Sequence, residues 1–161
     1  MQLKTNVHAE PDKQELFISR VFELPVAKLF LAYTQPELVE QWMGTKVLKL
    51  ENKAHGSYQF ETTDPLGNAH RFNGTIHEFE PGQKITRTFE MEGSQFPVQL
   101  EYLEFAALTE NSSKLTIQIV FKSVTYRDQL LQMPFAYGIN MAHNKLQDII
   151  GNMEYHPTNP G

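Results

Sequence analysis

The stretch MPFAYGINMAHNKLQDIIG, residues 133–151, is the longest segment of the chain with a helical period. On a period of 3.6 residues, its apolar and polar side chains fall on opposite sides. The apolar stripe comprises Phe135, Ile139, Ala142, Leu146, Ile149 and Ile150, and the polar side comprises Asn140, Asn144, Gln147 and Asp148. Pro134 suits the first turn of a helix, and Gly151 suits the position just past its end. The pattern predicts one long helix that buries a single face.

The residues before this helix predict the surface that covers its apolar stripe. Alternating apolar side chains indicate a strand over residues 14–24, which ends at Pro25. Two short helices follow, PVAKLFLAYT from Pro25 and PELVEQWMG over residues 36–44. Turn sequences then separate about six further strands over residues 45–122. We therefore expect an α+β fold, in which a curved antiparallel sheet of about six to seven strands surrounds the long helix.

The two ends of the chain lack a clear period. Residues 1–13 are polar and predict either a flexible N-terminal segment or an added edge strand. Residues 126–132, YRDQLLQ, predict a helical turn or two before the long helix. Residues 152–161 contain two prolines and predict a flexible C-terminal tail. The expected organisation is a single domain over residues 14–151 between two flexible ends.

Composition excludes several classes of protein. The 161 residues include no cysteine, which removes disulfides, thiolate nucleophiles and sulfur-ligated zinc. Fourteen Lys and Arg against nineteen Asp and Glu give a formal charge of −5, and the basic residues are spread along the chain, so nucleic acid is not an expected partner. No segment approaches the roughly 18 apolar residues of a membrane span. We expect a soluble, cytoplasmic protein.

A series of short motifs connects the predicted elements. The first is T-x-P-E-x-x-x-x-W over residues 34–42, after a strand, a proline and a short helix. In order and spacing, the motifs resemble those of the SRPBCC or START-like superfamily, whose helix-grip fold includes START lipid-transfer domains, polyketide cyclases and the birch-pollen-allergen group. Within it, the chain is most similar to the branch named after the activator of the heat-shock-protein ATPase, over residues 15–150. The residues that carry the resemblance are Phe22, Pro25, Leu29, Phe30, Tyr33, Thr34, Pro36, Glu37, Leu38, Trp42, His55, Gly56, Ser57, Tyr58, Asp64, Gly67, Gly74, Ile76, Pro81, Thr88, Phe89, Arg127, Asp128, Gly138 and Leu146.

The resemblance implies a cleft between the sheet and the long helix, roofed by the two short helices. Such clefts take apolar ligands on the order of 300 to 1,000 Å³ in volume. Two departures from the family pattern lie on the long helix: Ile139 stands where the family often has Trp, and His143 stands where it often has an apolar residue. The side chains expected to line the cleft are Phe30, Trp42, Tyr58, Phe60, Phe72, Phe89, Leu100, Tyr102, Phe121, Phe135, Ile139 and His143.

His143 is the main candidate for chemistry, as a ligand's polar partner or as an acid or base. The alternative is a boundary histidine bonded to a backbone carbonyl or to water. Trp42 is either a packing anchor or a ligand contact, and both roles are compatible. Three charged residues, Arg20, Glu101 and Glu104, either place charge inside the cleft or pair at an edge. Metal-ligand spacing, catalytic triads and nucleotide fingerprints are absent from the sequence, so we expect neither a metal nor a cofactor.

The leading hypothesis is a non-enzymatic binder of a small apolar molecule, either a lipid or an aromatic compound. A polyketide cyclase- or hydratase-like enzyme, using His143 or a tyrosine in the same pocket, is the first alternative. The second is a chaperone-related interaction module with a role in stress response. Tyr137 and Met141 lie on the helix face away from the apolar stripe, where they are either surface residues or part of a homodimer contact.

Overall fold

The computed structural model describes residues 3–153, which form one eight-stranded sheet and four helices. The strands are β1 (Asn6–His8), β2 (Glu15–Phe22), β3 (Lys46–Leu50), β4 (Ser57–Thr63), β5 (Ala69–Glu80), β6 (Lys84–Met91), β7 (Gln99–Thr109) and β8 (Ser112–Val120). The helices are α1 (Val26–Thr34), α2 (Pro36–Met43), α3 (Val124–Gln132) and α4 (Phe135–Gly151). The predicted order of elements is confirmed.

All strands of the sheet are antiparallel, in the order β1-β2-β8-β7-β6-β5-β4-β3. The six strands after α2 form a continuous meander, and β2 joins it through β8. The sheet has eight strands rather than six to seven because Asn6–His8 adds an edge strand to β2. Register shifts in the β3–β4, β5–β6 and β7–β8 pairs mark bulges, which increase the local twist and bend of a sheet.

The two short helices pack on the inner side of the sheet. Helix α1 contacts β7 and β8, while α2 contacts β3 and α4. Helix α2 is capped by Gly44, whose φ of 63° is left-handed and whose N–H donates to the Glu40 carbonyl. Glycine takes this conformation without the steric cost of a Cβ atom, so the chain can leave the helix and enter β3 at once.

Tyr58 packs over Gly74, its partner on β5, and this contact requires a glycine. The Tyr58 hydroxyl donates to the Thr88 carbonyl at 2.5 Å. A Cβ atom at position 74 would overlap both the Thr88 carbonyl oxygen and the Tyr58 ring. Gly74 therefore lets an aromatic ring lie flat against the strand and bridge β4 to β6.

The long helix begins at Phe135, two residues after the start of the predicted segment. The helical turn or two predicted before it is the separate helix α3. Leu146 and Ile150 are fully buried, and the rest of the predicted apolar stripe packs against the core. The predicted polar side differs from the structure at Asn140 and Asn144, which are half-buried and contact the N-terminal segment and β2. Helix α4 therefore has a second, partly buried side.

The structure tests the prediction for the N-terminal segment but not most of the prediction for the C-terminal segment. Residues 6–8 of the N-terminal segment form β1, which is the edge-strand alternative rather than a flexible lead-in. Most of the predicted C-terminal tail, residues 154–161, lies outside the described residues. The assignment of residues 14–151 to a single domain stays a prediction. Among residues 3–153 no helix is long and apolar enough to cross a membrane.

Candidate functional site

A cleft with a volume of about 370 Å³ lies between the inner face of the sheet and α4. Side chains from the sheet and from all four helices line it. Its lining consists of Ile18, Tyr33, Trp42, Met43, Thr45, Phe60, Thr62, Phe72, Arg87, Phe89, Gln99, Glu101, Ile117, Ile119, Leu130, Phe135, Ile139 and Ala142. Most of these side chains are apolar, so the cleft suits an apolar occupant.

Six of the twelve side chains that the sequence suggested for the cleft lie on its wall. They are Trp42, Phe60, Phe72, Phe89, Phe135 and Ile139. Phe72 and Phe89 stack at 5.4 Å between ring centroids and 23° between planes, which forms a flat apolar wall. Ligand binding by these residues stays a prediction, but the six side chains line the same cleft.

The remaining six are outside the cleft lining for two reasons. Phe30, Tyr58, Phe121 and His143 are buried in the adjoining core. Leu100 and Tyr102 were expected to point inward, and this is wrong, because the inner face of β7 carries Glu101, Leu103 and Phe105. Side chains alternate across a strand, so a buried Glu101 places Leu100 and Tyr102 on the opposite face.

Trp42 is a packing anchor that also lines the cleft, and its contact with a ligand stays a prediction. Its indole Nε1 donates to the Ala32 carbonyl at 2.7 Å, which ties the end of α2 to α1. Its ring packs 5.0 Å from the Tyr33 ring, centroid to centroid, and its free side lines the cleft. Trp42 therefore anchors the roof and contributes to the site at once.

His143 is fully buried beside the cleft but does not line it. Its Nδ1 lies 2.8 Å from the Thr5 hydroxyl, and its Nε2 lies 3.3 Å from the Tyr33 hydroxyl. Burial, with a smaller contribution from the positive charge of Arg20, lowers the pKa of His143 from 6.5 to about 3. The imidazole is therefore neutral at physiological pH. It is bonded to two side-chain hydroxyls, whereas the simpler alternative was a boundary histidine bonded to a backbone carbonyl or to water.

Arg20 is also buried away from the cleft. Its guanidinium donates to Asn144 Oδ1 at 2.9 Å and to the Thr5 hydroxyl at 3.3 Å. Asn140 accepts from the backbone N–H of Thr5 at 2.9 Å. These contacts form a polar cluster between β2, α4 and the N-terminal segment, so Arg20 does not supply charge to the cleft.

A buried ion pair, Arg87–Glu101, lines the cleft, and only Glu101 of the two was a predicted candidate. Arg87 on β6 and Glu101 on β7 are register partners, and Arg87 Nε donates to Glu101 Oε1 at 3.1 Å. Glu104 points outward, so only one of the two glutamates considered lies inside. The signal for Arg87 was available, because it shares strand parity with Ile85 and Phe89.

The electrostatics of the cleft follow from this pair. Gln99 Nε2 donates to the second oxygen of Glu101 at 2.9 Å, and the Arg87 guanidinium lies 5.2 Å from the centroid of the Tyr58 ring. Burial raises the pKa of the Tyr33 and Tyr58 hydroxyls, so both stay protonated at neutral pH. No group of three His, Cys, Asp or Glu side chains within residues 3–153 is arranged to hold a metal. The arrangement is suited to holding an apolar molecule that has one polar group.

The sheet order and the terminal helix define a helix-grip fold, with a cleft between the sheet and the helix. The sequence matches the family model described as "Activator of Hsp90 ATPase homolog 1-like protein" over residues 23–151, and the chain belongs to this family. A comparison with curated proteins gives no match.

Solved structures of bacterial proteins share the fold. A crystal structure from Rhodobacter sphaeroides superposes with a TM-score of 0.83 at 17% identity, covering 93% of this chain and 99% of that one. Protein Ms6760 from Mycobacterium smegmatis has a TM-score of 0.82 at 18% identity, with coverage of 96% and 100%. A solution structure from Staphylococcus epidermidis has a TM-score of 0.77 at 21% identity, with coverage of 93% and 98%. At these identities the likeness shows the fold alone.

Proposed function

We propose that this protein binds a small, largely apolar molecule in the cleft and does not convert it chemically. The observation that carries the proposal is the cleft of about 370 Å³, which is open between a packed sheet and the long helix. Its volume lies in the range of small-molecule sites. Its lining is mostly apolar, and covering an apolar surface that is open to water with an apolar ligand is favourable.

The side chains on α4 support the proposal. Ile139 and Ala142 line the cleft, and both are smaller than the Trp that the family often has at position 139. The opposite wall is aromatic, with Phe60, Phe72 and Phe89 on neighbouring strands. The space between small residues on one wall and flat rings on the other suits a planar or chain-like apolar molecule.

The single tryptophan of the chain provides the assay, because Trp42 lines the cleft. Titration with a panel of fatty acids, sterols and aromatic ketones is expected to change Trp42 fluorescence saturably for at least one class. The same compound should raise the unfolding free energy by about 2.7 kcal/mol at a hundredfold excess over its Kd.

A matched pair of variants separates cleft binding from surface binding. Ala142→Phe places a ring in the cleft and should abolish the fluorescence change. Ala136→Phe introduces the same ring on the exposed side of α4 and should leave it intact. Equal binding by both variants, or no response of the wild-type protein to any compound, would contradict the proposal, provided that both variants unfold cooperatively.

The two alternatives have less support. A cyclase or hydratase using His143 would need that imidazole at the cleft wall, whereas it is covered by Thr5 and Tyr33 and has a pKa of about 3, which makes it a weak base. A chaperone-related role rests on the family description alone. Neither is favoured by a specific contact within residues 3–153.

A further inference from the structure

The Arg87–Glu101 pair has unused hydrogen-bonding capacity. Arg87 and Glu101 side chains are 9% and 11% exposed, and the only side-chain hydrogen bond of Arg87 within residues 3–153 runs from Nε to Glu101. Its two terminal nitrogens, Nη1 and Nη2, have no acceptor in that range. A guanidinium carries five N–H donors, so four of them remain after the Nε bond.

The free nitrogens point to the cleft. Among residues 3–153, every side-chain nitrogen and oxygen that is fully buried has a hydrogen-bond partner. The unpartnered Nη1 and Nη2 atoms are therefore accessible, and the cleft is the cavity that Arg87 lines. When an apolar ligand displaces water from the cleft, a cationic donor left without an acceptor is costly, so a ligand that places an oxygen atom beside Arg87 is favoured.

The charge of the Arg87–Glu101 pair decides which kind of ligand oxygen suits this end of the cleft. Arg87 and Glu101 already neutralise each other, and Gln99 binds the remaining oxygen of Glu101. A ligand carboxylate would add an uncompensated negative charge next to Glu101 in a buried site. A neutral carbonyl or hydroxyl oxygen accepts charge-assisted hydrogen bonds from Arg87 without adding charge.

We infer that the ligand is a neutral, largely apolar molecule with a carbonyl or hydroxyl oxygen at one end, which accepts hydrogen bonds from Nη1 or Nη2 of Arg87. The apolar body lies between the stacked Phe72 and Phe89 rings and the α4 side chains Ile139 and Ala142. This inference rests on the proposed function and adds the orientation and chemical class of the ligand.

Three naphthalene probes of matched size test it: 2-isopropylnaphthalene, 2-acetylnaphthalene and 2-naphthoate. Their Kd values are measured by titration of the ¹⁵N-labelled protein. The ketone is expected to bind about tenfold or more tightly than the isopropyl compound, because the free energy of a hydrogen bond to a charged donor corresponds to at least a tenfold change in Kd. Any bound naphthalene ring shifts nearby signals through its ring current, but only the ketone should move the Arg87 Nη protons downfield relative to the isopropyl complex, as a hydrogen bond does.

The double variant Arg87→Met/Glu101→Met removes both charges at similar volume, and its ratio of the two Kd values should fall to about one. The control is Tyr102→Phe, on the outer face of β7, the strand that carries Glu101, and it should keep the wild-type ratio of the two Kd values. If the double variant does not fold, the Arg87 signals of the wild-type protein decide alone.

The outcomes distinguish the two proposals. Equal binding of the ketone and the isopropyl compound, or tightest binding of 2-naphthoate, would overturn the inference and leave the binding function intact. Binding of none of the three probes would count against the binding function itself, and the inference would fall with it.

Discussion

Replacement of His143 by glutamine should remove a specific part of the acid sensitivity of the fold. In the unfolded chain, His143 takes up a proton as the pH falls below its ordinary pKa of 6.5, whereas the buried imidazole stays neutral down to about pH 3. Between these values, the unfolded state binds more protons than the folded state. The free energy of unfolding therefore falls as the pH falls.

The magnitude follows from the two pKa values. Each pH unit inside the window changes the contribution of His143 by about 1.4 kcal/mol. Between pH 7 and pH 4.5 the wild-type protein should lose roughly 2.5 kcal/mol through this side chain alone. Glutamine does not titrate, and it has a donor and an acceptor for the Thr5 and Tyr33 hydroxyls that His143 contacts.

Urea denaturation of both proteins at a series of pH values between 7 and 4.5 measures the effect. The other ionisable groups are common to both proteins, so the difference between the two curves isolates His143. We expect the His143→Gln variant to be less stable at pH 7 and to converge on, or exceed, the wild-type protein near pH 4.5. Parallel curves across this range would refute the claim that His143 is held neutral by burial.

Two further substitutions test the packing around the cleft. Gly74→Ala should lower the free energy of unfolding by about 3 kcal/mol, because the added Cβ atom meets the Thr88 carbonyl and the Tyr58 ring. The control is Gly138→Ala, in open space on α4, which should raise the free energy of unfolding by up to about 1 kcal/mol. An unchanged urea midpoint for Gly74→Ala would contradict the close approach. Glu101→Leu should cost about 3 kcal/mol by leaving Arg87 buried without its carboxylate, and adding Arg87→Met should recover most of that loss. A double variant as unstable as the single one would show that the pair is not the cause.

The fold was predictable because each element carries its own local signal. Proline and glycine mark the ends of α2, and strict alternation over Leu115, Ile117 and Ile119 identifies β8 and its inner face. Such patterns depend on residues close in the chain. The eighth strand was missed as a definite element because three residues of β1 are too few for a period, and only pairing with β2 makes them a strand.

The candidate site was only partly predictable, and β7 shows why. Glu101 is an acidic residue on the inner face, so polarity alone favoured the opposite parity and put Leu100 and Tyr102 inside. What makes Glu101 tolerable there is Arg87, which lies 14 residues away in sequence and opposite it in register. Compensation across strands is a tertiary property that alternation within one strand does not reveal.

The same reasoning applies to α4. Asn140 and Asn144 read as a solvent-facing side, but Arg20 and Thr5 cover them. The helical pattern was correct, whereas the number of buried faces depended on a segment more than a hundred residues away. His143 lies on this second buried side, which explains why it is next to the cleft without lining it.

The two edges of the sheet constrain how this chain can associate. One edge is β1, only three residues long, and the other is β3, which carries exposed Lys46 and Lys49 and a bulge between Val47 and Lys49. Short strands, lysines and bulges each disfavour pairing with a strand of another molecule. Sheet-to-sheet extension, including the early steps of aggregation, is therefore discouraged at both ends. The exposed side chains Tyr137 and Met141 lie on α4, so a contact between copies at that surface would leave both sheet edges unpaired.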